Sequence, residues 1–137
     1  MREIKFRAWQ KRLKEIYSVY GYYVNEAIYY CESKKGTHHT FGLIDLEIMQ
    51  YTGLKDQSGV DIYEGDIVHI GDTGQAWSVE YDDREACFIV FNQLNSNRRF
   101  DTDFTDPECP IVSICEGMEF KPGVIGNIYE NPELISK

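Results

Sequence analysis

The chain has 137 residues, of which 42% are hydrophobic, and a formal net charge of −9. This length and composition fit one ordinary domain with a self-sufficient core. The negative charge repels a phosphate backbone, which argues against non-specific binding of nucleic acid. No apolar stretch is long enough to span a bilayer, and no apolar signal core follows the first residues, so we expect a cytoplasmic protein.

Charge is distributed unevenly along the chain. Residues 1–35 carry eight Lys or Arg and four Glu, for a net charge of +4, and the remainder carries six basic and nineteen acidic residues, for −13. The asymmetry is compatible with head-to-tail pairing of subunits, and also with a charge pattern that only faces solvent.

The four cysteines form no CxxC motif and no paired metal spacing (Cys31, Cys87, Cys109 and Cys115). Together with the absence of a secretory signal, this predicts reduced thiols. An incidental contact between Cys109 and Cys115 is the alternative.

The first third of the chain predicts a strand pair. The segment "IKFRAW" (4–9) alternates apolar and polar residues, and "IYSVYGYYV" (16–24) is rich in β-branched and aromatic residues. Residues 25–35 fit a helix or a strand. The charged, glycine-containing "ESKKGTHH" (32–39) predicts an exposed loop.

The second half predicts five short strands with turn-rich connections at 67–70, 76–82, 87–91, 111–115 and 123–130. Such a series is typical of a small SH3-like barrel. A long polar segment at 92–110 interrupts it. Asn131 is a candidate N-cap and Pro132 a first helical residue, so a short helix or turn is expected near the carboxyl end.

The strings "MREIKFRAW" (1–9), "MQYTGLKDQSGVDIYEGDIV" (49–68) and "VIGNIYENPEL" (124–134) resemble the YopX family of small proteins encoded mainly by bacteriophages and prophages. The resemblance implies a phage or prophage origin, a bacterial cytoplasm, and a compact β-rich fold that self-associates. It implies no reaction, cofactor or catalytic residue.

The fold prediction combines these patterns in one domain that is mainly β. Residues 1–48 form an N-terminal strand pair and a loop. Residues 49–137 form a central hairpin and an SH3-like barrel, with one or two short helices.

The acidic stretch "YTGLKDQSGVDIYEGD" (51–66) has enough carboxylates to suggest a metal-binding or catalytic site. An EF-hand loop starting at Asp56 would lack the ligand at position 5 and the glycine at position 6. Glu64 and Asp66 could share a proton, but Gly65 implies a bend between them. Turn chemistry is favoured, with Asp56 and Ser58 side chains holding a hairpin loop and Gly59 at positive φ.

The histidines do not predict a metal site. His38 and His39 are adjacent, so on a strand they point to opposite faces. His69 stands alone among apolar residues, which is typical of a position on a barrel surface. We therefore predict no metal, no cofactor and no enzymatic activity.

Six of the ten tyrosines lie between residues 17 and 30. Core packing accounts for some, but a domain of this size cannot easily bury all six hydroxyls with partners, and tyrosine is enriched at interfaces. The predicted interaction surface is Tyr20, Tyr22 and Tyr23, with the basic pair Arg98 and Arg99 of the polar insertion.

The leading hypothesis is a non-catalytic interaction protein that forms a homo-oligomer and docks to a host or phage protein. One alternative is a nucleic-acid-binding β-barrel that uses the tyrosines with Arg12 and Lys14. A second is an acidic decoy whose negative segment mimics a phosphate backbone. A hydrolase using Glu64 and Asp66 is the catalytic alternative.

Overall fold

A computed structural model of the chain describes residues 3–70, 76–83, 86–91 and 122–135. In this part of the chain 62% of residues lie in strands and 6% in helical turns, in two sheets. The prediction of a mainly β protein is confirmed. The chain divides into two compact units, Met1–Tyr51 and Thr52–Lys137. None of the helical segments described is long and apolar enough to cross a membrane.

The first sheet has the strand order β4-β3-β2-β1-β5-β6. Its strands are β1 (Phe6–Gln10), β2 (Glu15–Tyr23), β3 (Ile28–Glu32), β4 (His38–Gly42), β5 (Leu46–Lys55) and β6 (Asp61–Tyr63), and a 3₁₀ helix at Leu43–Asp45 links β4 to β5. The predicted N-terminal strand pair is confirmed as the antiparallel pair β1–β2, in which Ala8 lies opposite Tyr17.

The second sheet has the strand order β10-β7-β8-β9. Its strands are β7 (Asp66–Ile70), β8 (Ala76–Asp82), β9 (Cys87–Phe91) and β10 (Pro122–Asn127), and a 3₁₀ helix at Pro132–Leu134 follows β10. The described strands do not close into a barrel, so the SH3-like barrel is not confirmed. The predicted strand at 111–115 and the long polar segment at 92–110 lie outside the described residues.

Each unit has its own apolar cluster. In the first unit, Ala8, Tyr17, Cys31 and Leu46 are buried together, and Phe41 packs against them. In the second unit the cluster is formed by strand residues from β6 to β9 and by partly buried neighbours (Ile62, Val68, Val79, Phe88 and Val90, with Leu54, Trp77 and Val124). The apolar run accordingly supplies buried side chains at residues 87–90.

Residues 25–39 differ from the prediction. The structure forms β3 and β4 here, joined by a turn in which Ser33 N–H donates to the Thr37 carbonyl at 2.9 Å. The predicted loop at 32–39 is therefore wrong at both ends, because Glu32 ends β3 and His38 begins β4. The open choice for residues 25–35 resolves to a turn and a strand.

Candidate interaction surface

The acidic stretch is a hairpin loop held by Asp56. The Asp56 carboxylate is buried, and its Oδ1 accepts the N–H groups of Ser58 at 2.8 Å and Val60 at 2.9 Å. Its Oδ2 accepts the Val124 N–H of β10 at 2.9 Å. Gly59 has φ 85°, which a residue with a side chain rarely adopts. The predicted turn role of Asp56 and Gly59 is confirmed, and Ser58 contributes its main-chain N–H.

The second half of the stretch joins three strands. Gly65, at φ 88°, donates its N–H to the Val79 carbonyl and accepts the Ile128 N–H, both at 2.8 Å. Asp66 is buried and its Oδ2 accepts the Tyr63 N–H at 2.8 Å. Glu64 and Asp66 therefore flank a glycine that connects neighbouring segments through backbone hydrogen bonds, and the Asp66 carboxylate accepts a hydrogen bond within the turn.

The carboxyl-terminal string "GNIYENPEL" is also turn chemistry. The Asn127 side-chain oxygen accepts the N–H groups of Tyr129 at 3.0 Å and Glu130 at 2.8 Å. Pro132 begins the 3₁₀ helix as predicted, but Asn131 makes no side-chain cap bond. Its Oδ1 instead accepts the Asn127 N–H at 3.3 Å.

The histidines lie where β-strand alternation places them. His38 contacts the Tyr20 ring, with centroids 5.4 Å apart, whereas His39 stacks on Phe41 at 5.7 Å. The two rings are thus on opposite faces of β4, as predicted. Among the described residues no three His, Cys, Asp or Glu side chains are grouped to hold a metal ion.

The tyrosines separate into a core set and an exposed set. Tyr17 is buried, with its ring edge against Phe41 at 5.1 Å. Tyr20, Tyr22 and Tyr23 on β2 leave 58%, 60% and 49% of their surface exposed, and Tyr30 on β3 is also exposed. The three predicted interface tyrosines are therefore exposed on one strand but not on one face, because Tyr20 contacts Tyr30 whereas Tyr22 stacks on Tyr29, which points to the opposite face of β3.

A β-bulge arranges the exposed tyrosines. The register between β2 and β3 shifts between Val19 and Gly21, so Tyr20 has no partner of its own in that ladder. Gly21 lies opposite Tyr30, and a Cβ on Gly21 would lie 3.3 Å from a Tyr30 ring carbon. The missing side chain lets the Tyr30 ring lie close to β2, where its centroid is 6.1 Å from that of Tyr20.

Three turns that carry exposed apolar side chains are tied together by backbone hydrogen bonds. The Leu43 N–H donates to the Ala27 carbonyl, and the Lys11 N–H donates to the Asp45 carbonyl, both at 2.9 Å. The 3₁₀ helix 43–45 is thereby tied to both the β2–β3 turn and the β1–β2 turn. We call the exposed apolar side chains on these three turns the apolar corner (Leu13, Val24, Leu43 and Ile44).

The sequence patterns do not predict the apolar corner. Ile44 is 85% exposed, which is unusual for an isoleucine, yet "GLIDLE" reads as an ordinary apolar segment. The only local signal is Gly42 before it, which indicates that a strand ends. Arg98 and Arg99, the other predicted part of the surface, lie outside the described residues.

Basic side chains near the corner are paired with carboxylates. The Arg12 guanidinium donates to the Asp45 carboxylate at 3.0 Å, and the Lys11 ammonium lies 3.2 Å from Glu47. Exposed pairs of this kind contribute little to stability. They do lower the local positive potential that a phosphate-binding surface would need.

Two groups of the first core have perturbed acidity. Burial and the hydrogen bond from the Tyr17 hydroxyl to Glu15, 2.7 Å long, raise the pKa of Tyr17 to about 12. Burial raises the pKa of the Cys31 thiol to about 11. Both shifts favour the neutral form, which suits packing and works against a nucleophile.

Comparisons with known proteins identify a family and a similar fold. A family model described as YopX protein matches residues 5–136. The chain is also similar to the crystal structure of protein EF1440 from Enterococcus faecalis, with 25% sequence identity and a TM-score of 0.54, over 99% of this chain and 100% of that one. No curated protein matches.

Proposed function

The chain belongs to the YopX family, and on that premise we propose that it is a non-catalytic interaction protein of phage or prophage origin. It works in the bacterial cytoplasm by docking to copies of itself, and through the assembled form to a host or phage protein. Within residues 49–137 we keep the SH3-like barrel as a proposal, because the predicted strand at 111–115 lies outside the described residues.

The exposed tyrosines of β2 are the observation that supports this function. Tyr20, Tyr22 and Tyr23 keep about half or more of their surface in solvent, although β2 lies between β1 and β3 in the sheet. A strand in that position commonly buries one face. Tyrosine supplies a large apolar ring with a polar tip at low entropic cost, which suits a contact surface.

The distribution of charge supports association between copies. The sequence divides into a basic first part and a strongly acidic remainder, so a second copy offers surface of the opposite sign. The chemistry of the motifs supports a non-catalytic role. The carboxylates of Asp56 and Asp66 accept hydrogen bonds from backbone N–H groups, which is a structural role.

The test replaces the three tyrosines together, as Tyr20→Ser, Tyr22→Ser and Tyr23→Ser. We expect the native mass, measured by light scattering across a concentration series, to fall from that of an oligomer to that of a monomer. Recovery of a partner with the tagged protein from nuclease-treated host lysate should fall with it.

Tyr81→Ser is the matched control, because Tyr81 is a comparably exposed tyrosine in the second unit. Its native mass should equal that of the unsubstituted protein. If the triple variant keeps both its native mass and its partner recovery, the tyrosine surface is not the docking site. Salt-sensitive binding to single-stranded nucleic acid would instead support the alternative function.

A further inference from the structure

The outer edge of β4 exposes backbone groups. Among the described residues β4 is an edge strand of its sheet and pairs with β3 alone. The Ser33 N–H donates to the Thr37 carbonyl, and the Leu43 N–H donates to the Ala27 carbonyl. Hydrogen-bonded pairs alternate along an antiparallel ladder. These two bonds place Thr37 and Leu43 in hydrogen-bonded pairs, so every second residue between them, His39 and Phe41, also directs its backbone N–H and C=O groups towards β3. The backbone groups of His38, Thr40 and Gly42 therefore face outward.

This edge lacks the features that usually prevent pairing between edges. Natural edge strands are protected by lysines, prolines, bulges or short length. The β4 sequence "HHTFG" has no Lys, Arg, Asp, Glu or Pro, and its register with β3 is unbroken. By contrast, β6 at the other end of the sheet has three residues, and its Asp61 carboxylate is paired with Lys55 at 2.7 Å.

The edge is also open to solvent. His38, His39 and Thr40 are exposed, and a Cβ added to Gly42 would meet no atom within 4 Å. A second strand could therefore approach along its length.

We propose that β4 pairs in antiparallel fashion with β4 of a second copy of the chain, about a two-fold axis at Thr40. The inference rests on the proposed self-association and adds the strand that forms it. Within β4 only His38, Thr40 and Gly42 direct their backbone N–H and C=O groups outward. The antiparallel register that pairs all three residues places Thr40 opposite Thr40 of the second copy. It also sets His38 against Gly42 of the second copy. Symmetry satisfies both strands equally.

The surroundings of the edge fit a second copy. The same register directs the β3–β4 turn, with exposed Lys34 and Lys35, towards residues 43–45 of the other copy. Ile44 there is 85% exposed, and the Asp45 carboxylate, which pairs with Arg12 of its own copy, can accept a second cation. The lysine stems can cover the isoleucine while their ammonium groups approach the acid. On one face of the joined sheet, the Tyr20, Tyr30 and His38 rings of both copies flank the axis.

Thr40→Pro tests the pairing directly. Proline removes the outward N–H and blocks the approach of a second strand, yet the protomer does not use that N–H towards β3, so an edge proline is compatible with the fold. The substitution removes one backbone hydrogen bond from each of the two copies, so we expect the dimer Kd, measured by sedimentation equilibrium, to rise at least about tenfold. Thr40→Val keeps the N–H and should leave Kd near its original value.

Thr40→Cys provides a second measurement that does not depend on the proline variant folding. Residues of a hydrogen-bonded antiparallel pair have Cα atoms about 5.5 Å apart, which is within the range for a disulfide. Mild oxidation should give a covalent dimer of Thr40→Cys that the unsubstituted protein, and Ser58→Cys on an exposed loop of the second unit, do not give.

The outcomes separate this inference from the proposed function. A chain that is monomeric at every concentration overturns both. A dimer whose Kd is unchanged by Thr40→Pro overturns the β4 pairing alone, and so does a Thr40→Cys variant that forms no covalent dimer. In either case the tyrosine surface remains the proposed site of association.

Discussion

Asp56 and Val124, 68 residues apart, are joined by a hydrogen bond of 2.9 Å from the Val124 N–H to Asp56 Oδ2. The same carboxylate holds its own loop through Oδ1. One buried side chain thus links the β5–β6 loop to β10 within the second unit. The Gln57 N–H adds a second link by donating to the Pro122 carbonyl at 3.1 Å. The acidic string 51–66 therefore has a structural role, because it connects the β5–β6 loop to β10.

Asp56→Ala should destabilise the second unit strongly. It leaves three backbone N–H groups without their acceptor, and hydrogen bonds to a charged group contribute about 1.5–3 kcal/mol each, not additively. We expect a loss of about 3 kcal/mol in the free energy of unfolding, measured in urea. Asp56→Asn can keep one oxygen on the loop but turns its amide towards Val124, so its loss should be intermediate. Equal losses for the two variants would show that the loop bonds, which asparagine can keep, contribute nothing, and would contradict this explanation.

Stability should fall in acid through the same carboxylate. Burial raises the pKa of Asp56, but the N–H donors of Val124, Val60 and Ser58 outweigh it and hold the pKa below its usual 3.8. A carboxyl with a lowered folded pKa stabilises the fold above its unfolded pKa, and this contribution is lost as the pH falls through the folded pKa. The free energy of unfolding of the unsubstituted protein should therefore decline below about pH 4.

Asp56→Asn is the control for this pH dependence. With no group to titrate at position 56, its free energy of unfolding should change less between about pH 5 and pH 2 than that of the unsubstituted protein. Parallel pH profiles for the two proteins would assign the acid sensitivity to other carboxylates.

Local chemistry explains which parts of the fold could be predicted. Asp56 and Gly59 act within a few residues of one another, so a turn motif identifies them. The strands β1 and β8 alternate apolar and polar residues, and period two is visible in any short window. By contrast, β4 carries "HHTFG" at an exposed edge, where no buried face imposes alternation. The sequence therefore predicts a loop where β4 begins.

The candidate surface was only partly predictable for a related reason. The number of tyrosines between residues 17 and 30 predicts a contact surface, and in the structure Tyr20, Tyr22 and Tyr23 are exposed. The apolar corner depends on Leu43 bonding to Ala27 and Asp45 bonding to Lys11. These contacts join segments 16 and 34 residues apart along the chain. No short window of sequence contains both partners, so their proximity required the sheet register.

Gly126 should be intolerant of a side chain because of Asn131. A Cβ on Gly126 would lie 2.8 Å from Asn131 Cγ, so the asparagine must move and its bond to the Asn127 N–H is lost. We expect Gly126→Ala to cost about 1–3 kcal/mol in urea unfolding. In a chain that already carries Asn131→Gly, the same change should cost much less. Strict additivity of the two substitutions would contradict this explanation.

Cys31 should be chemically inert in the folded protein. It has no exposed surface, and burial raises its pKa from 9.0 to about 11, so little thiolate is present at pH 8. Iodoacetamide should label the peptide that contains Cys31 in urea and leave it unlabelled in native buffer, as read by mass spectrometry. Labelling in native buffer at the rate seen in urea would mean that β3 opens readily.

Amide hydrogen exchange should reveal the alternation along β4. The N–H groups of His39 and Phe41 face β3 and should exchange slowly at every protein concentration, because exchange requires the ladder to open. Those of His38, Thr40 and Gly42 face outward and should exchange quickly in dilute protein. If β4 pairs with a second copy, these three gain protection as concentration rises, and Thr40→Pro removes that gain at His38 and Gly42. Equal protection of all β4 amides in dilute protein would contradict the assignment of inward and outward groups.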